Sequence, residues 1–202
     1  MRTEVKDFIE KNIELIETNE FEKLYTKVSS DIFGDNVKGE VTQVLWESDI
    51  HPEKELINIP RSFAYRCNNV FHIGRDYDHV QTFSNYCFNS ASVVTIDLSQ
   101  SECESIGYAA FQGCMNLQIV KLPPRLKYIE YYAFADCYNL ESVNIPSQIT
   151  QLIDTFYNCK SLTDVTFEGT KQQFKAIKKS NMWRKCSGIK EIICSDGILR
   201  FK

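Results

Sequence analysis

From Phe111 onward the apolar positions fall into columns. FQGCMNLQIVKLP (111–123), FADCYNLESVNIP (134–146) and FYNCKSLTDVTF (156–167) superpose, with the Phe anchors 23 and 22 residues apart. Cys114, Cys137 and Cys159 each follow their Phe by three; Leu117, Leu140 and Leu162 by six. Val120, Val143 and Val165 follow by nine, and Leu122, Ile145 and Phe167 by eleven. Upstream, Phe88, Ser90, Val93, Ile96 and Leu98 form a degraded copy, and Phe63, Cys67, Val70 and Ile73 a fainter one. A period of about 20 to 30 residues predicts a solenoid, whose units must stack to cover their apolar edges.

Within a unit, Val143-Asn144-Ile145 alternates in, out, in, which predicts a short strand. Pro123 and Pro146 end it, because proline cannot donate to a ladder. The return arm Leu126–Cys137 places Ile129, Ala133, Phe134 and Cys137 at roughly helical or 3-10 spacing. The Phe column predicts a buried aromatic stack, and the Cys column a row of small buried side chains on a tight turn.

Residues 1–56 carry no repeat. Val5, Phe8, Ile9, Ile13 and Ile16 give one helical stripe, and Phe21, Leu24, Tyr25 and Val28 a second after the Thr18–Asn19 break. Val41, Val44 and Leu45 suggest a third helix after Gly34 and Gly39. These helices either cap the first coil, whose open edge would invite pairing, or form a separate binding domain. At the other end Thr170–Lys179 predicts a basic helix, and Ser195-Asp196-Gly197 a hairpin turn between EIIC and ILRF.

The pattern AFxxCxxLxxVxLPxxLxxI, carried by AAFQGCMNLQIVKLPPRLKYIEYYAFADCYNLESVNIP, resembles the BspA-like leucine-rich repeat. The resemblance extends over about residues 57–202, including the tail VTFEGTKQQFKAIKKSNMW and IKEIICSDGILRF. It implies an α/β solenoid: a leucine-rich repeat array of about five short coils, each a strand plus a short helical or 3-10 return. An N-terminal helical cap (1–56) and a C-terminal helix and β-hairpin cap (169–202) would flank repeats over 57–168. The family serves as a binding scaffold with many targets, so the resemblance speaks for fold more than for function. Two departures stand out. Residues 74–86 (GRDYDHVQTFSNY) lose the return-arm pattern, which predicts a bend or interruption, and QLIDTFYNC is one residue short.

Charge divides the chain. Residues 1–60 hold 14 acids and 7 bases, and residues 171–202 hold 2 acids and 9 bases. An acidic front and a basic tail predict surfaces with different partners, or solvated faces alone. No apolar window approaches the ~18 residues a membrane helix needs, and the charged start lacks a signal core, so the expectation is a cytoplasmic protein with no membrane contact.

Reaction chemistry finds no motif: no glycine-rich phosphate loop, HExxH or GxSxG. Cys67 with His72, and His79 with Cys87, lack the paired short spacing of structural zinc ligands, so no metal and no cofactor is expected. Cys186 and Cys194 could pair if oxidised. Asp136, Asp154 and Asp164 have no evident carboxylate partner.

What remains is surface. The register turns Thr95, Asp97, Ile119, Lys121, Ser142, Asn144, Asp164 and Thr166 outward on the strand face. Tyr131, Tyr132, Tyr138 and Tyr157 sit beside anchor positions as loop aromatics. Lys171, Lys175, Lys178, Lys179, Arg184 and Lys185 form a basic stretch with Phe174 and Trp183 nearby, which would suit nucleic acid or merely a solvated helix. The expectation is a non-enzymatic protein binder, such as a bacterial or phage inhibitor or adaptor of a host defence nuclease or similar machine. A surface adhesin or carbohydrate binder, and a nucleic-acid binder through the basic stretch, are the alternatives.

Overall fold

The computed structural model describes residues 3–31, 35–68, 70 and 72–201. The chain winds through six coils, each with two short strands, between a helical cap and a terminal hairpin. Coil 1 carries β1 (Asn58–Ile59) and β2 (His72–Ile73), and coil 2 carries β3 (Thr82–Phe83) and β4 (Thr95–Asp97). Coil 3 carries β5 (Ser105–Ile106) and β6 (Ile119–Lys121), and coil 4 carries β7 (Tyr128–Ile129) and β8 (Ser142–Ile145). Coil 5 carries β9 (Gln151–Leu152) and β10 (Asp164–Phe167), and coil 6 carries β11 (Lys178–Lys179) and β12 (Glu191–Cys194). Then β13 (Gly197–Arg200) folds back on β12.

One face is a seven-stranded sheet, β13-β12-β10-β8-β6-β4-β2, parallel except at its terminal hairpin. The register puts Ile96, Val120, Val143 and Val165 in one inward column. A second parallel sheet, β1-β3-β5-β7, runs along the return arms with Ile59, Phe83, Ile106 and Ile129 inward. The return arm is therefore a two-residue strand followed by turns, not the helical or 3-10 segment its spacing suggests. Residues 74–86 do not interrupt the array. A 3-10 turn at Arg75–Tyr77 buries Tyr77 against Phe83 and Phe88, and Thr82–Phe83 stays in register with its neighbours. The short repeat does leave a mark. The second sheet ends at β7, and β9 pairs only with β11 among the described strands.

The turn around each Phe is a third ladder. In coils 2 to 5 two residues, two before and two after the anchor, have positive φ: Tyr86 and Ser90, Ala109 and Gly113, Tyr132 and Asp136, Asp154 and Asn158. That left-handed geometry is costly outside Gly, Asn and Asp. It is held by bonds to the next coil. Phe88, Phe111 and Phe134 N–H groups donate to Ala110, Ala133 and Thr155 carbonyls at 2.8, 2.8 and 3.1 Å. Ser90, Gly113 and Asp136 N–H groups donate to Gln112, Ala135 and Tyr157 carbonyls at 2.7–2.9 Å.

Inside, Phe88, Phe111, Phe134 and Phe156 stack with centroids 5.5, 5.3 and 6.0 Å apart and planes within 17°. Such ring pairs contribute about 0.5–1.5 kcal/mol beyond their area. The Cys column does more than fill space. The Cys114, Cys137 and Cys159 thiols donate to the carbonyls of Phe88, Phe111 and Phe134 at 3.2, 3.2 and 3.0 Å.

The N-terminal helices are α1 (Thr3–Lys11), α2 (Ile13–Glu17), α3 (Phe21–Asp31) and α4 (Asp35–Glu47). The Thr18–Asn19 break is where expected, with Asn19 at φ 58°. Ile13, assigned to the first buried stripe, is 48% exposed, because α1 and α2 are separate helices. Gly39 lies within α4 rather than before it. A Cβ there would meet the Tyr65 carbonyl oxygen at 2.1 Å, so the glycine lets α4 lie directly on coil 1. Gly34 falls outside the described residues. Tyr25 and Trp46 pack on Phe63, at 5.2 and 5.7 Å between ring centroids.

At the C-terminal end the helix is shorter than Thr170–Lys179. Thr170 caps α5 (Lys171–Ala176), Gln173 completes a capping box, and the chain then extends into β11. Phe174, Trp183 and Phe201 pack in sequence over the last coil.

Candidate binding surfaces

All eight strand-face residues lie on the outer side of the seven-stranded sheet, and parallel pairing lines them up in rows. One row runs His72, Thr95, Ile119, Ser142, Asp164, and the next Asp97, Lys121, Asn144, Thr166, Ile193. Side chains one coil apart bond to one another. Lys121 Nζ sits 2.7 Å from Asp97 Oδ2 and, by donating to it, holds that carboxyl below its usual range. Thr166 donates to Asn144 Oδ1 at 2.8 Å, while Asn144 Nδ2 donates to Glu168 at 2.9 Å. Thr95 Oγ1 is 2.6 Å from His72 Nδ1. Asp97 with Lys121, Asn144 with Thr166 and Glu168, and Thr95 with His72 are thus already paired across coils. Ile119, Ile193 and Ile198, at 42%, 52% and 42% exposure, present apolar surface between them.

The four loop tyrosines divide between the two sides of the Phe turn. Tyr132 joins a row two or three residues ahead of the anchors: Tyr86 meets Tyr108 at 5.3 Å and Tyr108 meets Tyr132 at 6.0 Å, edge to face. Arg61 lies 4.9 Å over the Tyr86 ring at one end. At the other, the Asp154 charge pushes the Tyr132 hydroxyl up. Tyr131 stands exposed beside the row. Tyr138, with Lys160 5.1 Å over its ring, and Tyr157 follow their anchors instead. Between the two sides runs an open groove of about 570 Å³, lined by Tyr65, Tyr86, Gln112, Met115, Asp136 and Tyr138 among others. Its floor is a polar chain across coils: Asn89 Nδ2 to Gln112 Oε1 at 3.4 Å, Gln112 Nε2 to Asp136 Oδ2 at 3.2 Å, Asn158 Nδ2 to Asp136 Oδ1 at 2.8 Å. The repeat columns do not single out Tyr65, Tyr86 and Tyr108, although Tyr86 and Tyr108 precede their anchors almost as Tyr132 does.

The basic stretch is not one patch. Lys179 Nζ donates to the Phe174 and Ile177 carbonyls, both at 2.6 Å, and its burial lowers its pKa. Arg184 packs over Phe201 at 4.5 Å and donates to the Ile189 carbonyl. These two cations hold the C-terminal cap together. Lys175, Lys178 and Lys185 are exposed, and Lys171 is half-buried beside the hairpin, its backbone N–H donating to Asp196. Phe174 and Trp183 are core residues, so neither is available to stack on a base.

The thiols and imidazoles are engaged elsewhere. Cys67 donates to the Gly39 carbonyl at 3.1 Å, while His72 is on the strand face. His51 Nδ1 and Trp46 Nε1 meet opposite oxygens of buried Glu53 at 3.0 and 2.8 Å, which ties α4 to the segment leading into coil 1. Burial pushes the Cys67, Cys103, Cys114 and Cys159 thiols up to about 12, and the Cys87 and Cys137 thiols well up, so these remain neutral and unreactive at neutral pH. Cys186 is exposed and Cys194 buried, and both are free. Among the described residues no group of three His, Cys, Asp or Glu side chains could hold a metal, and no helix is long and apolar enough to cross a membrane.

The model of the BspA-type leucine-rich repeat region matches residues 81–202 in six copies. Among solved structures, a leucine-rich repeat protein of T. pallidum superposes with a TM-score of 0.53 at 24% identity, over 67% of this chain and 62% of that one. The chain therefore spans under two thirds of that protein's length. A leucine-rich cell surface protein of Faecalibacterium prausnitzii matches 55% of this chain and 35% of its own at 24% identity, with a TM-score of 0.42. No curated protein matches the sequence.

Proposed function

Because the chain belongs to the BspA-type leucine-rich repeat family, we propose that it is a non-enzymatic module that binds another protein through the outer face of its seven-stranded sheet and the adjacent turn edge. Leucine-rich repeat proteins generally bind proteins, and this solenoid offers a broad face for it. One observation carries the choice of face. Asp97 with Lys121, and Asn144 with Thr166, are paired along one row and pre-ordered, with Ile119, Ile193 and Ile198 exposed beside them. Ordered side chains lose little entropy on association, and exposed apolar anchors are what an interface desolvates.

A module that binds without chemistry works by occupying or bridging, so the role we propose is inhibitor or adaptor. The test places a photo-crosslinking residue at position 119 in the full chain, in its source cell. A discrete protein adduct, reduced at least tenfold by Ile193→Glu, is expected. Crosslinks confined to nucleic acid, or an adduct indifferent to Ile193→Glu, would refute the assignment of this face.

A further inference from the structure

We propose that the groove beside the tyrosine row takes a proline-rich segment of the protein partner in the polyproline II conformation, an inference that rests on the protein-binding reading above. The groove crosses four coils, from Tyr65 on coil 1 to Tyr138 on coil 4. At the ~4.8 Å spacing of hydrogen-bonded strands that is about 14 Å, the length of four to five polyproline II residues. Its backbone cannot recruit a strand, because the coil-to-coil ladder already engages the N–H groups of Phe88, Ser90, Phe111, Gly113, Phe134 and Asp136. Recognition must come from side chains.

The side chains suit a polyproline II ligand. That helix makes no internal hydrogen bonds, so its carbonyls look for donors, and its rings look for aromatic walls. Donors come from the floor. Gln112 Nε2 commits one proton to Asp136 and keeps a second, and Asn89 Nδ2 donates only over long contacts of 3.4 Å. Walls come from Tyr65, Tyr86 and Tyr138. The periods also agree. One polyproline II turn advances about 9.3 Å, close to the ~9.6 Å of two coils, whereas same-side residues of an extended strand recur about every 6.7 Å. Tyr65 and Met115, on coils 1 and 3, both line the groove two coils apart. Asp136 at the far end offers a carboxylate to an arginine flanking the prolines.

The experiment titrates the 15N-labelled full chain with a peptide of about ten prolines flanked by arginines. Parallel titrations use a Gly-Ser peptide of equal length and charge, and cellohexaose. The proline peptide is expected to shift the amides of Gln112, Gly113 and Asp136 and to bind at least tenfold tighter than the Gly-Ser peptide. Tyr138→Ser should weaken it at least fivefold, and Ile119→Glu should leave it unchanged, with both spectra reporting an intact fold. Equal binding by the Gly-Ser peptide would reduce the effect to charge. Binding by cellohexaose alone would make the groove a glycan site. Shifts elsewhere, indifference to Tyr138→Ser, or no binding at all would also overturn the proposal. The protein-binding reading is judged separately, by the crosslink at position 119.

Discussion

The middle coils and the N-terminal cap satisfy the same valences with different chemistry. In coils 3 to 5 a thiol donates to the Phe carbonyl of the coil before it. The Ala110 and Ala133 carbonyls accept an N–H from the coil before, whereas the Phe63 carbonyl, in the same position on coil 1, accepts the Thr42 hydroxyl of α4, itself bonded to the Tyr25 hydroxyl. Coil 1 has no coil before it, and its Cys67 thiol finds the Gly39 carbonyl of the same helix. The helix therefore stands in for a missing coil, bond for bond. A repeat repeats because it meets copies of itself. A cap needs only to be complementary, and complementarity leaves no period.

The widest test of the buried thiols is alkaline. Cys67, Cys103, Cys114 and Cys159 are raised from near 9 to about 12 by burial. The unfolded chain gives up these protons at lower pH than the folded one, so their stabilisation is complete below about pH 9 and lost as pH rises towards 12. Each thiol whose unfolded form is ionised contributes about 1.4 kcal/mol per pH unit. Cooperative unfolding between pH 9 and 12, followed by circular dichroism, is expected. Full stability at pH 12 would show that the thiols are not buried as described.

Next in size is the aromatic stack. Phe111→Ala should cost about 3–5 kcal/mol in denaturant unfolding, since Phe111 is fully buried with parallel rings on both sides. Phe63 sits edge-on to Phe88 and takes Tyr25 and Trp46 on its other side. Phe63→Ala should cost as much while also releasing the helices, seen as faster amide exchange in α4 than in coils 3 to 5. Equal exchange in both regions would deny the cap its separate identity.

How far the fold could be read beforehand follows from the same contrast. The Phe, Cys, Leu and Val columns were plain because each meets its like in the next coil. The return-arm strands were not, because two residues such as Tyr128–Ile129 give no alternation to count. The left-handed pairs were also hidden. Gly113, Asp136 and Asn158 suit positive φ, but Tyr86, Ala109 and Tyr132 are held there by neighbours rather than by propensity. On the surface, the strand-face residues followed from register alone. The tyrosine row did not, because Tyr86 belongs to a degraded copy and Tyr108 sits one position off the column.

Gly39→Ala sharpens the junction with a smaller effect. The added methyl would press on the Tyr65 carbonyl, backbone that cannot swing aside, and about 1–3 kcal/mol is the usual cost of such overpacking. The loss should appear as a lowered midpoint for the helical signal with little change at Trp183, on the far cap.

The smallest effect runs in the stabilising direction. The residue before each anchor is small in coils 3 and 4, Ala110 and Ala133, but Thr155 in coil 5, where its hydroxyl is buried with no hydrogen-bond partner among the described residues. An unpaired buried hydroxyl costs about 1–3 kcal/mol, and a methyl of the same shape removes the cost. Thr155→Val should therefore stabilise the chain by about 1 kcal/mol in urea unfolding with an unchanged slope. The equivalent exchange at Thr42, Thr42→Val, should destabilise by a similar amount, since that hydroxyl bridges Tyr25 and the Phe63 carbonyl. Opposite signs from the same chemical change separate a hydroxyl the coils merely tolerate from one the cap requires. Equal signs would erase the distinction between the two regions.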